Sequence, residues 1–461
     1  MNMKKRRKAS ALGSLLAIFV LVGAGFAAYK VLHSKEFETN RPVIEMPLER
    51  FWNNHHPFDV NVSDDSGLKK VIAYLSNGSE RVKIADIDFK KPPKSYRLQI
   101  RYPKLGFVHE SDTLTLTVIA QDISKWNFFK GNSNVKKARL RIDNQKPDVF
   151  ALINSYGITR GGSALAIFKA ADANLKELYV ETNFGKRFQP IPFYKEGYYI
   201  VLLAWPITQK RFSAKVIAKD EAGNVSKARI GFFLKSRKYR TSYIQAKERF
   251  INGKIADLAE DEPELTKDLS PTEKLKFINE VYRETNDALI KEIASKVDHN
   301  RVDSFDIQPF DPLRNGKVVG SFGDHRYYWY KEKSNIISES YHLGIDLASI
   351  RMDDIIISNP GVVVFANYNG IYGNMLMVYH GLGLYTVYGH CSTLLKKRGE
   401  LVQAGEVGAK TGATGLALGD HLHFSTLVQG IFVRPAEWMD SKWIQTNIID
   451  VIENAKKMID K

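Results

Sequence analysis

Between Arg41 and Lys235 apolar and polar residues alternate in short runs, and this period of two restricts the fold more than any other feature. Tyr96 to Ile100, Leu114 to Ala120, Ala138 to Ile142, Glu177 to Glu181, Tyr198 to Leu203 and Phe212 to Ala218 each read this way. Successive side chains of a strand point to opposite faces, so such runs bury one face and wet the other. Turns separate them and no helical period intervenes, which argues for all-β sandwiches.

The region also repeats itself. Ser66-Gly67-Leu68-Lys69-Lys70-Val71 is echoed by Ala173-Asn174-Leu175-Lys176-Glu177-Leu178. Val118-Ile119-Ala120-Gln121-Asp122 is echoed by Val216-Ile217-Ala218-Lys219-Asp220, and the second copy runs on into the turn Glu221-Ala222-Gly223-Asn224. Two tandem modules follow, 41–146 and 147–236. On these few positions they resemble the immunoglobulin-like modules of bacterial surface proteins. A spacer that lifts the C-terminal domain off a membrane is the expected role. Wall binding by the modules is a second role that the sequence leaves open.

The membrane enters through the N-terminus. Lys4, Lys5, Arg6, Arg7 and Lys8 precede an uncharged run from Ala9 to Tyr29 built around Leu15, Leu16, Ile18, Phe19, Val20, Leu21 and Val22. That run is long enough to cross the hydrocarbon core. The basic residues (1–8) then stay in the cytoplasm, 9–29 forms a transmembrane anchor, and the rest lies in the periplasm or extracellular wall space. Ala24, Ala27 and Ala28 also suit signal-peptide cleavage, but the run exceeds a usual signal core, so an uncleaved single-pass anchor in the bacterial cytoplasmic membrane is expected.

With 461 residues the chain exceeds a single core, and several domains are expected. Its net charge of +16 is spread along the chain. Such a surface suits nucleic acid, anionic lipid or an acidic wall polymer. No helix-turn-helix, RNP-type strand or zinc finger is present, so nucleic acid is not expected as a partner. Cys391 is the single cysteine, which excludes an internal disulfide framework.

Beyond the modules the pattern changes. Ser270-Pro271-Thr272-Glu273 is a helix start, with a capping serine, proline at the first helical position and an acid in the first turn. Leu275, Ile278, Val281, Leu289, Ile290 and Ile293 follow at close to a helical period, so 237–305 reads as a helical connector. From 306 to 442 the chain is strand-like and rich in glycine, with Gly361 to Ala366, Met375 to Tyr379, Leu384 to Tyr388 and Leu422 to Leu427 as strands. Asn369-Gly370 and His380-Gly381 supply turns. That is a compact antiparallel β domain, followed at 443–461 by an amphipathic helix.

Five of the eleven histidines fall after residue 340. His421-Leu422-His423 puts two imidazoles on one face of a strand. His342 and Asp346 stand four apart, again one face of an extended chain, and His390 follows a strand at Gly389. Two or three histidines with one carboxylate suit zinc and leave a position for water, whose pKa the metal lowers. Further histidines can move protons or stabilise an oxyanion. An isolated His-x-His is more often packing than metal. Here the pieces occur together inside one glycine-rich β domain.

These residues carry a resemblance. The stretch from Pro312 to Trp438 resembles the lysostaphin-type zinc metallopeptidases, which hydrolyse peptide bonds of peptidoglycan. It covers Ser321-Phe322-Gly323, His342-Leu343-Gly344-Ile345-Asp346-Leu347-Ala348, Gly361-Val362-Val363, Tyr372-Gly373-Asn374, His380-Gly381 and Tyr388-Gly389-His390-Cys391-Ser392. It continues through Gly405-Glu406-Val407-Gly408, Thr411-Gly412-Ala413-Thr414-Gly415, Gly419-Asp420-His421-Leu422-His423-Phe424 and Pro435-Ala436-Glu437-Trp438. The resemblance implies one Zn2+ per catalytic domain held by His342, Asp346 and His423, with His390 and His421 as the catalytic pair. It implies a narrow groove over a β-sheet floor, and peptidoglycan stems or cross-bridges as substrate. Cys391 stands where the family usually has leucine. His380 is expected to be structural, and His325 a loop residue. Some relatives have lost ligands and activate a separate amidase, so a non-catalytic regulator is the alternative. The connector is the segment expected to block the groove.

Overall fold

The computed structural model describes residues 3–103, 107 and 112–461; Met1 and Asn2 of the basic tail lie outside them. The chain is mainly β, with an N-terminal apolar helix Met3–Leu32. Within that helix Gly13–Val31 is long and apolar enough to cross a membrane, and none of it is buried.

Contacts divide the described residues into two compact units, 1–146 with 220–224, and 147–219 with 225–461. The first unit is a two-sheet sandwich. Val43–Glu45, Phe58–Ser63 and Ser95–Ile100 form one sheet; Glu49–Trp52, Ser133–Ile142, Thr113–Asp122, Leu68–Ser76 and Arg81–Asp88 form the other. The alternation read from sequence is what fills it. Val60, Val62, Leu98 and Ile100 from one sheet and Val71, Leu75, Leu114, Leu116 and Val118 from the other are at most 2% exposed, and belong to a core of their own.

The second repeat also makes two sheets. Ile191–Pro192, Tyr198–Ala204, Ser163–Ala171 and Asp148–Asn154 form one, and Arg187–Phe188, Leu175–Thr182, Ala214–Asp220 and Val225–Ile230 the other. The echoed aspartates do the same work in both copies. Asp122 accepts the backbone N–H and side-chain amide of Asn132 at 2.7 and 2.8 Å; Asp220 accepts those of Asn224, both at 2.7 Å.

Three-quarters of the way along the chain lies the largest sheet. Its order is Lys317–Gly320, Ile345–Ala348, Leu422–Val428, Leu384–Cys391, Asn374–Tyr379, Gly361–Tyr368 and Leu401–Val402, with Ile431–Val433 folding back on Leu422–Val428, and every pairing is antiparallel. A side sheet joins Thr241–Gln245, parallel, to His325–Trp329, which pairs antiparallel with Ile336–Tyr341. Residue 241 onward is therefore strand before the helices begin. The capping box at Ser270 forms as read, with Pro271 at its first turn. One continuous core runs through the second repeat, the connector helices and the large sheet.

Candidate metal and catalytic site

Strand register brings the site together. Asp346 on Ile345–Ala348 is the direct cross-strand partner of His423 on Leu422–Val428, and Gly389 is the partner of His423 on its other side. Period-two geometry then aims Asp346 and His423 at one face. His342 sits in the short link before the Asp346 strand. Gly344 within that link has a specific reason to be glycine: a Cβ there would stand 2.6 Å from both His423 Nε2 and Ser425 Oγ.

Three donor atoms converge. His342 Nε2 lies 2.9 Å from Asp346 Oδ1 and 3.1 Å from His423 Nδ1, and His423 Nδ1 lies 3.0 Å from the same carboxylate oxygen. Tetrahedral donors about 2.0–2.1 Å from one metal ion stand about 3.3 Å apart, close to this triangle. Charge and protons fit as well. His342 Nδ1–H donates to the Ser321 carbonyl at 2.9 Å. His423 Nε2–H donates to Ser425 Oγ at 2.9 Å, and that hydroxyl donates onward to the Leu343 carbonyl at 2.9 Å. A carbonyl can only accept, so each ring proton sits on the outer nitrogen and a lone pair faces inward. Two lone pairs and a carboxylate oxygen about 3 Å apart repel one another unless a cation lies among them.

Burial pushes the Asp346 carboxyl up, but positive charge and donors at the His342 and His423 nitrogens outweigh it and hold it far below the usual carboxylate range; without a metal that requires protons on the inward nitrogens, and a bound cation takes their place. Burial lowers His423 to about 4, so its imidazole is neutral at physiological pH, as a ligand must be.

His390 and His421 flank the triangle. His390, one residue before the end of the strand Leu384–Cys391, has a left-handed backbone, φ +62°, which bulky residues adopt only at a cost. Its Nδ1–H donates to the Thr414 carbonyl at 2.8 Å, and His421 Nδ1–H donates to the Gly419 carbonyl at 2.8 Å. The two rings stand 4.8 Å apart, and His421 Nε2 is 3.7 Å from Asp346 Oδ1. Burial holds His390 well below its ordinary value, so it too is a neutral base.

All five residues singled out from sequence therefore line one cavity of about 790 Å³. His325 and His380 do not. His325 opens the strand His325–Trp329 instead of sitting in a loop, stacking on Tyr341 at 4.2 Å and meeting Glu339 at 3.1 Å. His380 is tied between the Pro360 carbonyl and Thr386 Oγ1, both at 2.8 Å, and half-buried against Phe310. The Cys391 thiol is buried, pushed up to about 12, and bonded to the Tyr388 carbonyl, so it offers no thiolate to His390.

Other lining residues had no signal in the sequence. Arg326, next to His325 and hence on the opposite face of that strand, places Nη2 3.4 Å from Asp346 Oδ2 and Nε 3.4 Å from Asp324. Gln245, Lys247, Arg249, Phe250, Lys254 and Arg283 bring the connector into the cavity wall. The connector also props the site from behind. Tyr372, edge-on to His423 at 5.4 Å, donates its hydroxyl to buried Asp287 at 2.7 Å, and Asn286 accepts the Ile371 N–H at 2.9 Å.

Residues 340–435 match the family described as Peptidase family M23. The DD-carboxypeptidase/endopeptidase Mpg of Neisseria meningitidis serogroup B is 37% identical over 125 residues, 27% of this chain and 27% of that protein. The murein hydrolase activator NlpD of Salmonella dublin is 29% identical over 130 residues, 28% of this chain and 30% of that protein. The chain thus spans little more than a quarter of the length of these relatives. The catalytic domain of lysostaphin from Staphylococcus simulans superposes with a TM-score of 0.23 at 23% identity, covering 28% of this chain and 94% of that one.

Proposed function

Because the chain carries a peptidase family M23 domain at its C-terminus, we propose that it is a zinc-dependent endopeptidase hydrolysing peptide cross-links of bacterial peptidoglycan, tethered to the cytoplasmic membrane by Met3–Leu32 and acting outside it. The observation that carries this reading is the triangle of His342, Asp346 and His423, with both outer ring nitrogens already committed as donors.

In this reading these three residues hold the ion. Zinc, when bound, polarises the scissile carbonyl and provides a nucleophile at neutral pH. His390 and His421 present Nε2 lone pairs to the cavity, where a ring that has accepted a proton becomes an imidazolium able to donate it to the developing oxyanion or the leaving amine. Their Nδ1–H bonds to Thr414 and Gly419 hold both neutral rings in the tautomer whose Nε2 accepts. Arg326, itself oriented by Asp324, holds the second oxygen of Asp346 from behind. Lys247, Arg249, Lys254, Arg283 and Arg326 against Asp346 and Asp420 leave the cavity net positive, which suits a stem peptide bearing free carboxylates.

The similarity to a murein hydrolase activator supports a second reading, a regulator that binds but does not cut. One experiment separates the two. The full chain, purified in detergent, is assayed for metal content and for fragments released from cross-linked muropeptides by mass spectrometry. One zinc per chain with conversion of cross-linked dimers to monomers is expected, with His390→Ala and His421→Ala keeping the metal while turnover collapses. Stoichiometric zinc without cleavage of any wall substrate assigns the regulator.

A further inference from the structure

The first module ends in a loop whose chemistry is not that of a spacer. Ile123 to Asn132 joins the strands Thr113–Asp122 and Ser133–Ile142. Buried Asp122 clamps both ends of it, accepting the Ser124 N–H at 3.0 Å and the Asn132 N–H at 2.7 Å. Between those clamps the chain turns outward. Asn127, Phe128 and Phe129 all have left-handed backbones, at φ 53°, 56° and 65°. Each costs on the order of 1–3 kcal/mol for a non-glycine residue, and such strain concentrates where it serves a function. What it achieves here is exposure: Phe128 is 92% and Phe129 71% accessible, with Ile123 and Trp126 beside them.

Its neighbourhood says what covers it. Phe129 packs edge-on against Phe37 at 6.2 Å, the Lys125 N–H donates to the Glu36 carbonyl at 2.6 Å, and Ser124 Oγ donates to the Glu38 carbonyl at 2.7 Å. Those partners belong to the first residues after the apolar helix, which ends at Leu32. Five residues from His33 to Phe37 reach at most about 17 Å fully extended. The same end of the module carries Lys130 and, from the turn whose Pro93 carbonyl accepts the Leu68 N–H, exposed Lys90, Lys91 and Lys94. None of these four lysines makes an ion pair among the described residues. Exposed aromatic rings ringed by lysines are the composition of a membrane-interface contact.

We infer that the Trp126–Phe129 tip docks on the bilayer in which the Met3–Leu32 helix is anchored, its rings among the headgroups and its lysines against anionic lipid. This rests on reading that helix as an anchor, and not on the peptidase activity. The contact would hold the first module upright at the membrane instead of leaving it to swing on residues 33–40.

Because Cys391 is buried, the full chain accepts single labels elsewhere. Phe128→Cys and, as control, Ser79→Cys are each labelled with an environment-sensitive fluorophore and reconstituted in nanodiscs containing phosphatidylglycerol. Ser79 lies in the turn between Leu68–Ser76 and Arg81–Asp88, a strand's length, about 26 Å, from the Asp122 end. The label at 128 is expected to shift to the blue and to be quenched several-fold more than that at 79 by headgroup-level doxyl lipid. Equal quenching at both sites in discs that retain the chain overturns the docking tip alone. A chain that does not co-elute with discs overturns anchor and tip together. A blue shift at 128 seen only when peptidoglycan fragments are added assigns the tip to wall polymer and overturns the lipid contact.

Discussion

The two β modules are copies of one pattern, yet the chain uses them in opposite ways. Among the described residues the first closes on its own core, separate from that of the large sheet. The second is continuous with that sheet. Phe193 is fully buried in the common core, Gln189 and Gln429 exchange hydrogen bonds at 2.7 and 2.9 Å, and Val302 pairs with Phe193 as a strand would. Ser163 meets the turn Pro435–Trp438 that follows the large sheet, its N–H donating to Glu437 at 3.0 Å and its hydroxyl accepting from Trp438 at 3.0 Å. What differs is not the inward-facing residues of the repeats but what their edges and turns meet. A repeat in sequence therefore specifies a sandwich and leaves its role to residues outside the repeat.

If that contrast is right, damage to the second unit reaches the site and damage to the first does not. The largest effect is expected at the ligands. His423→Ala should lose metal and more than about 10³-fold in wall cleavage, while the thermal unfolding of the first module stays where it was; a calorimetric shift in the first module's transition would break the contrast. Next comes the core. Phe193→Ala should cost about 3–5 kcal/mol and lower activity as the second unit melts, whereas Leu75→Ala should cost about 2–5 kcal/mol in the first module with cleavage of soluble muropeptides unchanged. Denaturant titration with activity read in parallel decides this.

The third effect depends on pH. Burial raises Glu437 to about 7, above its ordinary 4.5. Between those values the folded protein holds a proton that the unfolded chain has released. Glu437 therefore contributes stability to the second unit that is fully present below pH 4.5 and is lost, by about 3 kcal/mol, as pH rises through 7. Glu437→Gln should flatten that slope in unfolding followed against pH, and leave the first module's profile alone. Arg326→Ala comes fourth, at about 10–100-fold in metal affinity or activity, as expected for a group that orients a ligand; unaltered zinc affinity and turnover would make Arg326 a bystander. Smallest, Lys247→Glu with Arg249→Glu should raise KM about tenfold, ~1.4 kcal/mol, for stems with free carboxylates and much less for amidated ones, with kcat kept.

The residues that were legible are those whose chemistry is stated by spacing. The Ser270 cap forms as its local pattern implies, and His342, Asp346, His421 and His423 meet at one cavity, although His421 precedes the strand Leu422–Val428 in a bridge to Gly412 and His342 sits in the link before Ile345–Ala348, so spacing named the residues without giving their backbone. Arg326, Asp287 and the cationic wall were invisible because nothing local marks them. Arg326 reads as an ordinary strand residue, and its meaning comes from a pairing with Thr241–Gln245 across some eighty positions. Asp287 looks like a solvent-facing helix acid until Tyr372 closes over it. The fold class was plain from alternation, whereas the welding of the second module was set by single contacts such as Gln189 to Gln429.

The connector both lines the cavity and braces its floor. Its 245–254 stretch borders the opening, while Asn286 and Asp287 brace the loop under His423. Access and rigidity are thereby assigned to two stretches of one segment about thirty residues apart. A truncation that removes the whole segment would strip one wall of the cavity and at the same time loosen the loop beneath His423.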